Sequence, residues 1–125
     1  MKLHADPASR QTINGYGTGW IAVNGQRYTH SLLVSAQGLC QAWPVSRFDD
    51  LGQADFVTLA DLQPELVLFG SGQRLRFPPP AWLQTLMHQR IGLETMDTFA
   101  ACRTYNILAG EGRRVLAALL LEPVL

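Results

Sequence analysis

The second half of the chain alternates short apolar runs with amphipathic segments, and this alternation constrains the fold more than any other feature of the sequence. The runs at 66–69 and 115–121 contain no polar residue and are typical of strands buried on both faces. Between them the spacing predicts a helix over about 80–90, a short strand over 92–96 and a second helix over about 98–110. The order strand, helix, strand, helix, strand predicts parallel strands with helices covering the sheet.

The second helix has the clearest boundaries of these elements. Asp97 and Thr98 are both good N-caps, because a side-chain oxygen can accept hydrogen bonds from first-turn amides, and Gly110 or Gly112 can end the helix. The residues expected on its buried side are Ala101, Tyr105 and Leu108. The run at 115–121 is interpreted as a central strand, although its alanine and leucine content would equally suit a short buried helix.

The first half of the chain predicts antiparallel structure. Asn24-Gly25 separates β-rich runs at 19–23 and 26–34, and this dipeptide readily adopts the two positive φ angles of a type I′ turn. The segment therefore predicts a β-hairpin. A further short strand is expected over 39–43, where the following proline ends it.

Weaker local patterns complete the interpretation of the elements. A single helical turn is expected within 55–63 and a brief strand over 75–77, each followed by proline. Residues 1–15 are polar and lack a clear period, so they are interpreted as an irregular lead-in. Residues 16–125 are then expected to form one α/β domain, since no repeat, low-complexity tract or composition break divides them.

The charge balance of the chain excludes some partners and favours others. Ten Lys and Arg residues balance ten Asp and Glu residues, so no basic field would attract nucleic acid. Charged residues make up 16% of the sequence, which is below the ~25% usual for globular domains. A surface with few charges favours a protein partner or self-association into a homo-oligomer.

Targeting and cysteine patterns predict a cytoplasmic protein. The first residues contain no apolar stretch of signal-peptide length. The longest apolar run, 115–121, is far shorter than the ~20 residues of a membrane-crossing helix, so membrane insertion is not expected. Cys40 and Cys102 lie far apart in no C-x-x-C motif, which indicates two free thiols in a reducing compartment.

Two strand ends carry residues that could hold a ligand. In an open α/β sheet, ligands gather beyond the carboxyl ends of parallel strands, where this sequence has a Gly-Ser-Gly turn and the start of the second helix. The residues of this candidate ligand site are Gly70, Ser71, Gly72, Asp97, Thr98 and Arg103. The helix amides could hold a carboxylate or phosphate, although a negative Asp97 would repel it. A tight turn and helix capping explain most of these residues without any ligand.

Familiar nucleotide, metal and catalytic motifs find no support in the sequence. The third glycine of a dinucleotide fingerprint would fall at Leu75, and no G-x-x-x-x-G-K-[ST] phosphate loop occurs. The three histidines lack zinc-ligand spacing, and none is placed to activate Cys102, which is interpreted as a packed thiol. The sequence therefore predicts no catalytic residue, no metal and no cofactor.

Several stretches of the chain resemble one known family. The segments at 64–72, 76–78, 91–108 and 111–115 are similar to those of a small family of single-domain proteins of unknown function. Its eukaryotic members include a mitochondrial assembly factor of respiratory complex I and a protein associated with adipogenesis. The likeness runs from about 16 to 121, and its third block is long and distinctive.

The resemblance implies a fold but little chemistry. It implies a three-layer α/β fold, with a mixed central sheet, helices packed on it and an added N-terminal β-hairpin layer. It implies no established reaction or cofactor, so no catalytic residue can be carried over.

Two classes of function remain open at this point. The first is a non-enzymatic interaction or assembly factor, for example for NADH dehydrogenase (respiratory complex I), that acts through an exposed patch including Trp20, Tyr28 or Trp43. The alternative is a small-molecule or anion-binding protein, or an enzyme, with its site at the carboxyl ends of the parallel strands.

Overall fold

The computed structural model describes residues 10–123, which form eight strands and three α-helices. The strands are β1 (Ile13–Gly17), β2 (Trp20–Val23), β3 (Gln26–Tyr28), β4 (Leu32–Ser35), β5 (Cys40–Ala42), β6 (Leu66–Gly70), β7 (Gly92–Met96) and β8 (Val115–Leu119). The α-helices are α1 (Gln53–Asp61), α2 (Gln84–His88) and α3 (Thr98–Gly110), and short 3-10 helices lie at Phe48–Asp50 and Pro80–Leu83.

Five of the strands form a mixed central sheet in the order β5-β4-β8-β6-β7. β6 lies parallel to both β7 and β8, while β4 is antiparallel to β5 and β8. The registers place Leu68 opposite Glu94 on one side and opposite Ala117 on the other. The prediction of neighbouring central strands at 66–69 and 115–121 is confirmed, and the second run is a strand rather than a helix.

β1, β2 and β3 form a separate antiparallel sheet, called here the small sheet. Asn24 (φ 48°) and Gly25 (φ 84°) make the predicted turn between β2 and β3. The second arm of the hairpin is shorter than predicted, because the run at 26–34 divides and its last part becomes β4 of the central sheet. At that junction the Ser31 hydroxyl accepts a hydrogen bond from the Leu121 amide at 2.8 Å, which ties the crossing chain to the end of β8.

The irregular lead-in expected over 1–15 ends earlier than predicted. Residues 1–9 lie outside the described residues, and from Ile13 the chain is strand β1, paired with β2. Asn106 of α3 holds this strand, since its side chain accepts from the Ile13 amide at 3.0 Å and donates to the Ile13 carbonyl at 2.7 Å. The polar composition of this stretch concealed a strand that a distant side chain stabilises.

Side chains of the central sheet alternate between two apolar layers. Leu68 on β6 faces α3 and the small sheet, whereas its neighbours Val67 and Phe69 face α1 and α2. The same alternation along β4 and β8 gives each layer a continuous set of buried aliphatic side chains. The expected three-layer α/β fold, with a mixed central sheet, packed helices and an added β layer, is confirmed.

Three local predictions differ from the structure. The single turn expected within 55–63 is the nine-residue helix α1, whose start is fixed by the Asp55 carboxylate accepting from the Gly52 amide at 2.9 Å. The strand expected over 75–77 is wrong, because this segment pairs with no strand of residues 10–123 and leads into three prolines, which lack amide donors. The helix expected over 80–90 begins as a 3-10 helix before α2.

Candidate functional site

The carboxyl ends of the parallel strands border a cavity of about 250 Å³. Three of the six sequence-predicted site residues line it, namely Gly72, Asp97 and Thr98. Thr18, Phe99 and Glu122 are also in its lining. Half of the candidate site residues thus lie at this cavity, and the contacts of each residue decide what it can do.

Two glycines at the end of β6 leave room for close neighbours. A Cβ atom at Gly70 would lie 2.9 Å from the Thr98 Cα, which is closer than packing permits. Gly72 has a φ of 103°, and a side chain there would also meet the Glu122 carboxylate at 2.6 Å. Gly70 therefore permits the close contact between strand and helix, and Gly72 permits the turn and the close approach of Glu122.

The Thr98 hydroxyl is inserted between β6 and β8 at the cavity wall. Its Oγ1 accepts from the Gly72 amide at 2.9 Å and donates to the Leu120 carbonyl at 2.6 Å. If the parallel register of β6 and β8 continued by one more hydrogen bond, the Gly72 amide would donate directly to the Leu120 carbonyl. The Thr98 hydroxyl stands in place of that direct bond. The Thr98 amide also donates to the Gly72 carbonyl at 2.9 Å. The hydroxyl is thus engaged as both donor and acceptor.

Ser71 closes the turn that follows β6. The side chain is fully buried, and its hydroxyl donates to the Arg74 carbonyl at 2.7 Å and accepts from the Arg76 amide at 3.0 Å. Its own amide donates to the Met96 carbonyl at 2.9 Å. These contacts use the hydroxyl to hold the turn, and the side chain is not part of the cavity lining.

Two carboxylates set the electrostatics of the cavity. Asp97 caps α3 as predicted, because its Oδ1 accepts from the Ala100 amide at 3.0 Å. Glu122 lines the same cavity. Like charges repel, so Asp97 disfavours an anionic ligand, whereas the charge of Glu122 is balanced by its ion pair with Arg76.

Arg103 lies outside the cavity lining and joins α3 to β1. Its Nη1 donates to the Tyr16 hydroxyl at 2.8 Å, and the guanidinium carbon lies 5.9 Å from the centre of that ring. Tyr16 in turn stacks on Phe99 with ring centres 4.7 Å apart. The hydrogen bond to Tyr16 raises the pKa of Arg103. The structure therefore does not bring Arg103 together with the other predicted site residues.

An ion pair between Arg76 and Glu122, called here the Arg76 brace, fixes the chain after β6. The Arg76 guanidinium also donates to the Ser71 carbonyl at 2.9 Å and lies 4.8 Å from the centre of the Phe48 ring. The second oxygen of Glu122 accepts from the Phe48 amide at 3.0 Å. The two charged residues are 46 positions apart in the chain, so no local pattern could have predicted their pairing.

The brace orients the segment 73–79, called here the exposed loop. Arg76 is partly buried and Pro78 is buried, whereas Leu75 is 54% exposed and Phe77 is 68% exposed. This alternation is that of an extended chain with one side held against the protein. The result is a pair of apolar side chains presented to solvent by an anchored backbone.

Cys102 is a packed thiol inside the core layer formed by α3 and the small sheet. Burial raises the pKa of Cys102 to about 12. Since the thiolate is the nucleophilic form of cysteine, this environment suppresses its reactivity at neutral pH.

The exposed patch expected to include Trp20, Tyr28 or Trp43 does not include Trp43, and that part of the prediction is wrong. Trp43 is only 3% exposed and meets Phe69 edge-on, with ring centres 6.2 Å apart. The register of the small sheet places Tyr28 opposite Ile21, so Tyr28 and Trp20 lie on opposite faces of that sheet.

Residues 10–123 contain neither a membrane-spanning helix nor a metal-binding cluster. No helix in this range is long and apolar enough to cross a membrane. Over the same residues, no three His, Cys, Asp or Glu side chains are grouped closely enough to hold a metal ion.

The sequence matches a family described as protein of unknown function (DUF498/DUF598) over residues 13–120. An uncharacterized protein of Rhodobacter capsulatus is 39% identical over 111 residues, which cover 89% of this chain and 85% of that protein. NADH dehydrogenase (ubiquinone) 1 alpha subcomplex assembly factor 3 of Bos taurus is 33% identical over 113 residues, or 89% of this chain. The match spans 61% of the bovine protein, which is therefore considerably longer than the shared region. The 13 kDa major membrane protein of Francisella tularensis is 27% identical over 80% of this chain and 82% of its own length.

Solved structures agree with these matches. A crystal structure of a Bordetella parapertussis protein superposes with a TM-score of 0.87 at 39% identity, covering 94% of this chain and all of the other. The solution structure of a Mth938-like domain from Bordetella pertussis gives a TM-score of 0.82 at 35% identity, covering 98% of this chain and 93% of the other. The resemblance drawn from the sequence is thus confirmed over nearly the whole length, and the chain belongs to the DUF498 family of proteins of unknown function.

Proposed function

We propose that this protein is a non-enzymatic interaction factor that assists the assembly of NADH dehydrogenase. The observation that carries the proposal is the 33% identity, over 89% of this chain, to a bovine protein named as an assembly factor of that enzyme. Because the chain spans about three fifths of the bovine protein, the proposal concerns the region that the two proteins share.

The contacts at the strand ends support binding rather than catalysis. The hydroxyls of Ser71 and Thr98 are both engaged by backbone groups, so neither is free to attack a substrate. Cys102 is buried, with a pKa raised to about 12. The chemical groups that a hydrolase or transferase would need are thus used to hold the fold.

The exposed loop is the surface that we assign to the partner. Leu75 and Phe77 are among the most exposed large apolar side chains of residues 10–123. Apolar anchors that are fixed before binding contribute more affinity, because little conformational entropy is lost when the partner arrives. The Arg76 brace supplies that fixation.

The test is quantitative capture of NADH dehydrogenase subunits by the tagged protein in its native cells. The double variant Leu75→Ser, Phe77→Ser should lose most of the captured subunits. Ile107→Ser is the matched control, because Ile107 is 62% exposed on α3, away from the exposed loop. Capture no greater than from untagged cells, or equal loss in the control variant, would contradict the proposal.

A second candidate function rests on the cavity at the strand ends. A space of about 250 Å³ with the Asp97 carboxylate in its lining suits a small molecule with positive charge or several hydrogen-bond donors. Two-dimensional NMR with a library of small amines would test it, with amide shifts expected at Gly72 and Thr98. Shifts confined to other regions, or none at millimolar ligand, would remove this candidate.

We also propose a cytoplasmic location, as the sequence pattern indicates. One relative is named as a major membrane protein, so the distribution of this protein between cytoplasm and membrane is worth measuring. After cell fractionation the protein is expected in the cytoplasmic fraction, with release from any membrane by salt. Retention in salt-washed membranes would contradict the proposed location.

A further inference from the structure

Strand β7 forms one edge of the central sheet and pairs with β6 on its other side only. Two bonds fix which of its residues face β6. The Gly92 amide donates to the Glu65 carbonyl at 3.3 Å, and the Met96 carbonyl accepts from the Ser71 amide at 2.9 Å. Alternate residues of β7, beginning with Gly92, therefore bond to β6.

The intervening residues, Leu93 and Thr95, direct their amides and carbonyls away from the sheet. Among residues 10–123, no hydrogen bond of the structure uses these four groups. They form a regular row of two donors and two acceptors along the edge. Such a row is the template to which an added strand pairs.

β7 differs from the other sheet edges of residues 10–123. The small sheet has a register shift in β1 between Ile13 and Gly15, and its other edge, β3, is only three residues long. At the opposite edge of the central sheet, β5 also has three residues. Irregularity and shortness both protect an edge against further pairing. β7 has five residues in unbroken register, so neither device protects it.

We propose that the free edge of β7 binds an extended segment of a protein partner as an added strand, with a Lys or Arg of that segment opposite Glu94. This inference rests on the proposed function, because it takes the added strand to come from a protein partner. Glu94 is exposed and is the one charged residue of β7. Opposite charges directly across a strand pair stabilise it, whereas like charges destabilise it, so Glu94 selects a basic strand.

The same charge argues against a second copy of this chain as the occupant. Two copies of β7 related by a two-fold axis would pair antiparallel, and the register that pairs all five residues sets Glu94 opposite Glu94 of the other copy. That arrangement places like charges directly across the new strand pair. A basic strand from another protein meets no such repulsion.

The test uses the full chain and two short acetylated peptides of alternating threonine and valine, one with a central lysine and one with a central glutamate. Hydrogen exchange of the Leu93 and Thr95 amides, followed by NMR, reports directly on strand addition. We expect the lysine peptide at millimolar concentration to slow exchange at both amides. The glutamate peptide should bind about fivefold more weakly.

Three substitutions make the test specific. Thr95→Pro removes one outward amide without touching the bonds to β6 and should abolish peptide binding, whereas Thr95→Val keeps the amide and should bind as the native chain does. Glu94→Lys should reverse the preference between the peptides. This charge reversal still decides the question if the proline variant fails to fold.

Three results would overturn the inference. Unchanged exchange at Leu93 and Thr95 with either peptide would remove strand addition, and equal affinity for both peptides would remove the role of Glu94. A dimer in sedimentation with both amides already protected would make a second copy the occupant. Failure of subunit capture with peptide binding intact would instead count against the NADH dehydrogenase assignment alone.

Discussion

Replacing Thr98 with valine tests whether the hydroxyl inserted between β6 and β8 holds the end of the sheet. The hydroxyl is buried and bridges the Gly72 amide and the Leu120 carbonyl. Valine has nearly the same shape and helix propensity as threonine, so the substitution preserves packing and the first turn of α3. It removes both hydrogen bonds and leaves two buried backbone groups without a partner.

We expect Thr98→Val to lower the free energy of unfolding by about 2–6 kcal/mol, because each of the two unpaired buried groups costs about 1–3 kcal/mol. Total stability for a domain of this kind is ~5–15 kcal/mol, so the variant should still fold. With an unfolding entropy of about 2.1 cal/mol/K per residue, a loss of ~3 kcal/mol lowers Tm by about 11 °C.

Thr98→Ser is the matched control, because serine keeps both hydrogen bonds and removes only a methyl group. Its expected loss is about 1 kcal/mol. Urea unfolding at pH 7, with calorimetry for Tm, measures the native chain and both variants. A valine variant within ~0.5 kcal/mol of the native chain, or a serine variant less stable than the valine variant, would refute the reasoning.

Three further predictions concern the same region. Gly70→Ala should lower the free energy of unfolding by about 1–3 kcal/mol, because its Cβ would lie 2.9 Å from the Thr98 Cα. Gly110→Ala is the control and should be neutral or stabilising, because a Cβ there, at the end of α3, meets nothing within 4 Å. Equal effects of the two substitutions in urea unfolding would contradict the close approach at Gly70. Leu68→Asp should prevent folding, since an unpaired carboxylate in the core layer beside α3 costs far more than an unpaired neutral group, and a cooperative thermal melt of this variant would show the prediction wrong. Burial raises the pKa of Cys102 from 9.0 to about 12, so between pH 9 and pH 12 the unfolded thiol binds fewer protons than the folded one. As the pH rises through this range, the free energy of unfolding should therefore fall by up to about 1.4 kcal/mol per pH unit. Cys102→Ala should lose this part of the pH dependence, and identical profiles for the two proteins would contradict it.

Local patterns predicted those parts of the fold whose cause is local. The run at 66–69 has no polar residue because both faces of β6 are covered, and that requirement is visible in the sequence itself. Asn24-Gly25 fixes its turn through the backbone preferences of two adjacent residues. Asp97 caps α3 from the position next to the helix start. In each case the residues that determine the structure lie within one segment.

The failed predictions depend on contacts between distant segments. Trp43 resembles a surface aromatic in its own segment, but the sheet places it against Phe69, so it is buried. The run at 26–34 is uniform in β propensity, and only the central sheet decides where it leaves the small sheet. Arg76 and Glu122 form an ion pair although 46 positions separate them in the chain, with α2, β7, α3 and β8 in between. Contacts of this kind produce no repeating pattern in a single sequence from which they could be predicted.

The polar groups at the carboxyl end of the sheet act mainly to fix the backbone, and this determines how the exposed loop can function. Ordering a free loop costs about 1–2 kcal/mol per residue, a loss that would reduce the affinity of any partner bound there. Here Ser71 and the Arg76 brace fix the chain on folding, so Leu75 and Phe77 are already positioned before a partner arrives. Under the proposed function, the hydroxyl and charged side chains at this edge would therefore contribute to binding through the conformation of their apolar neighbours.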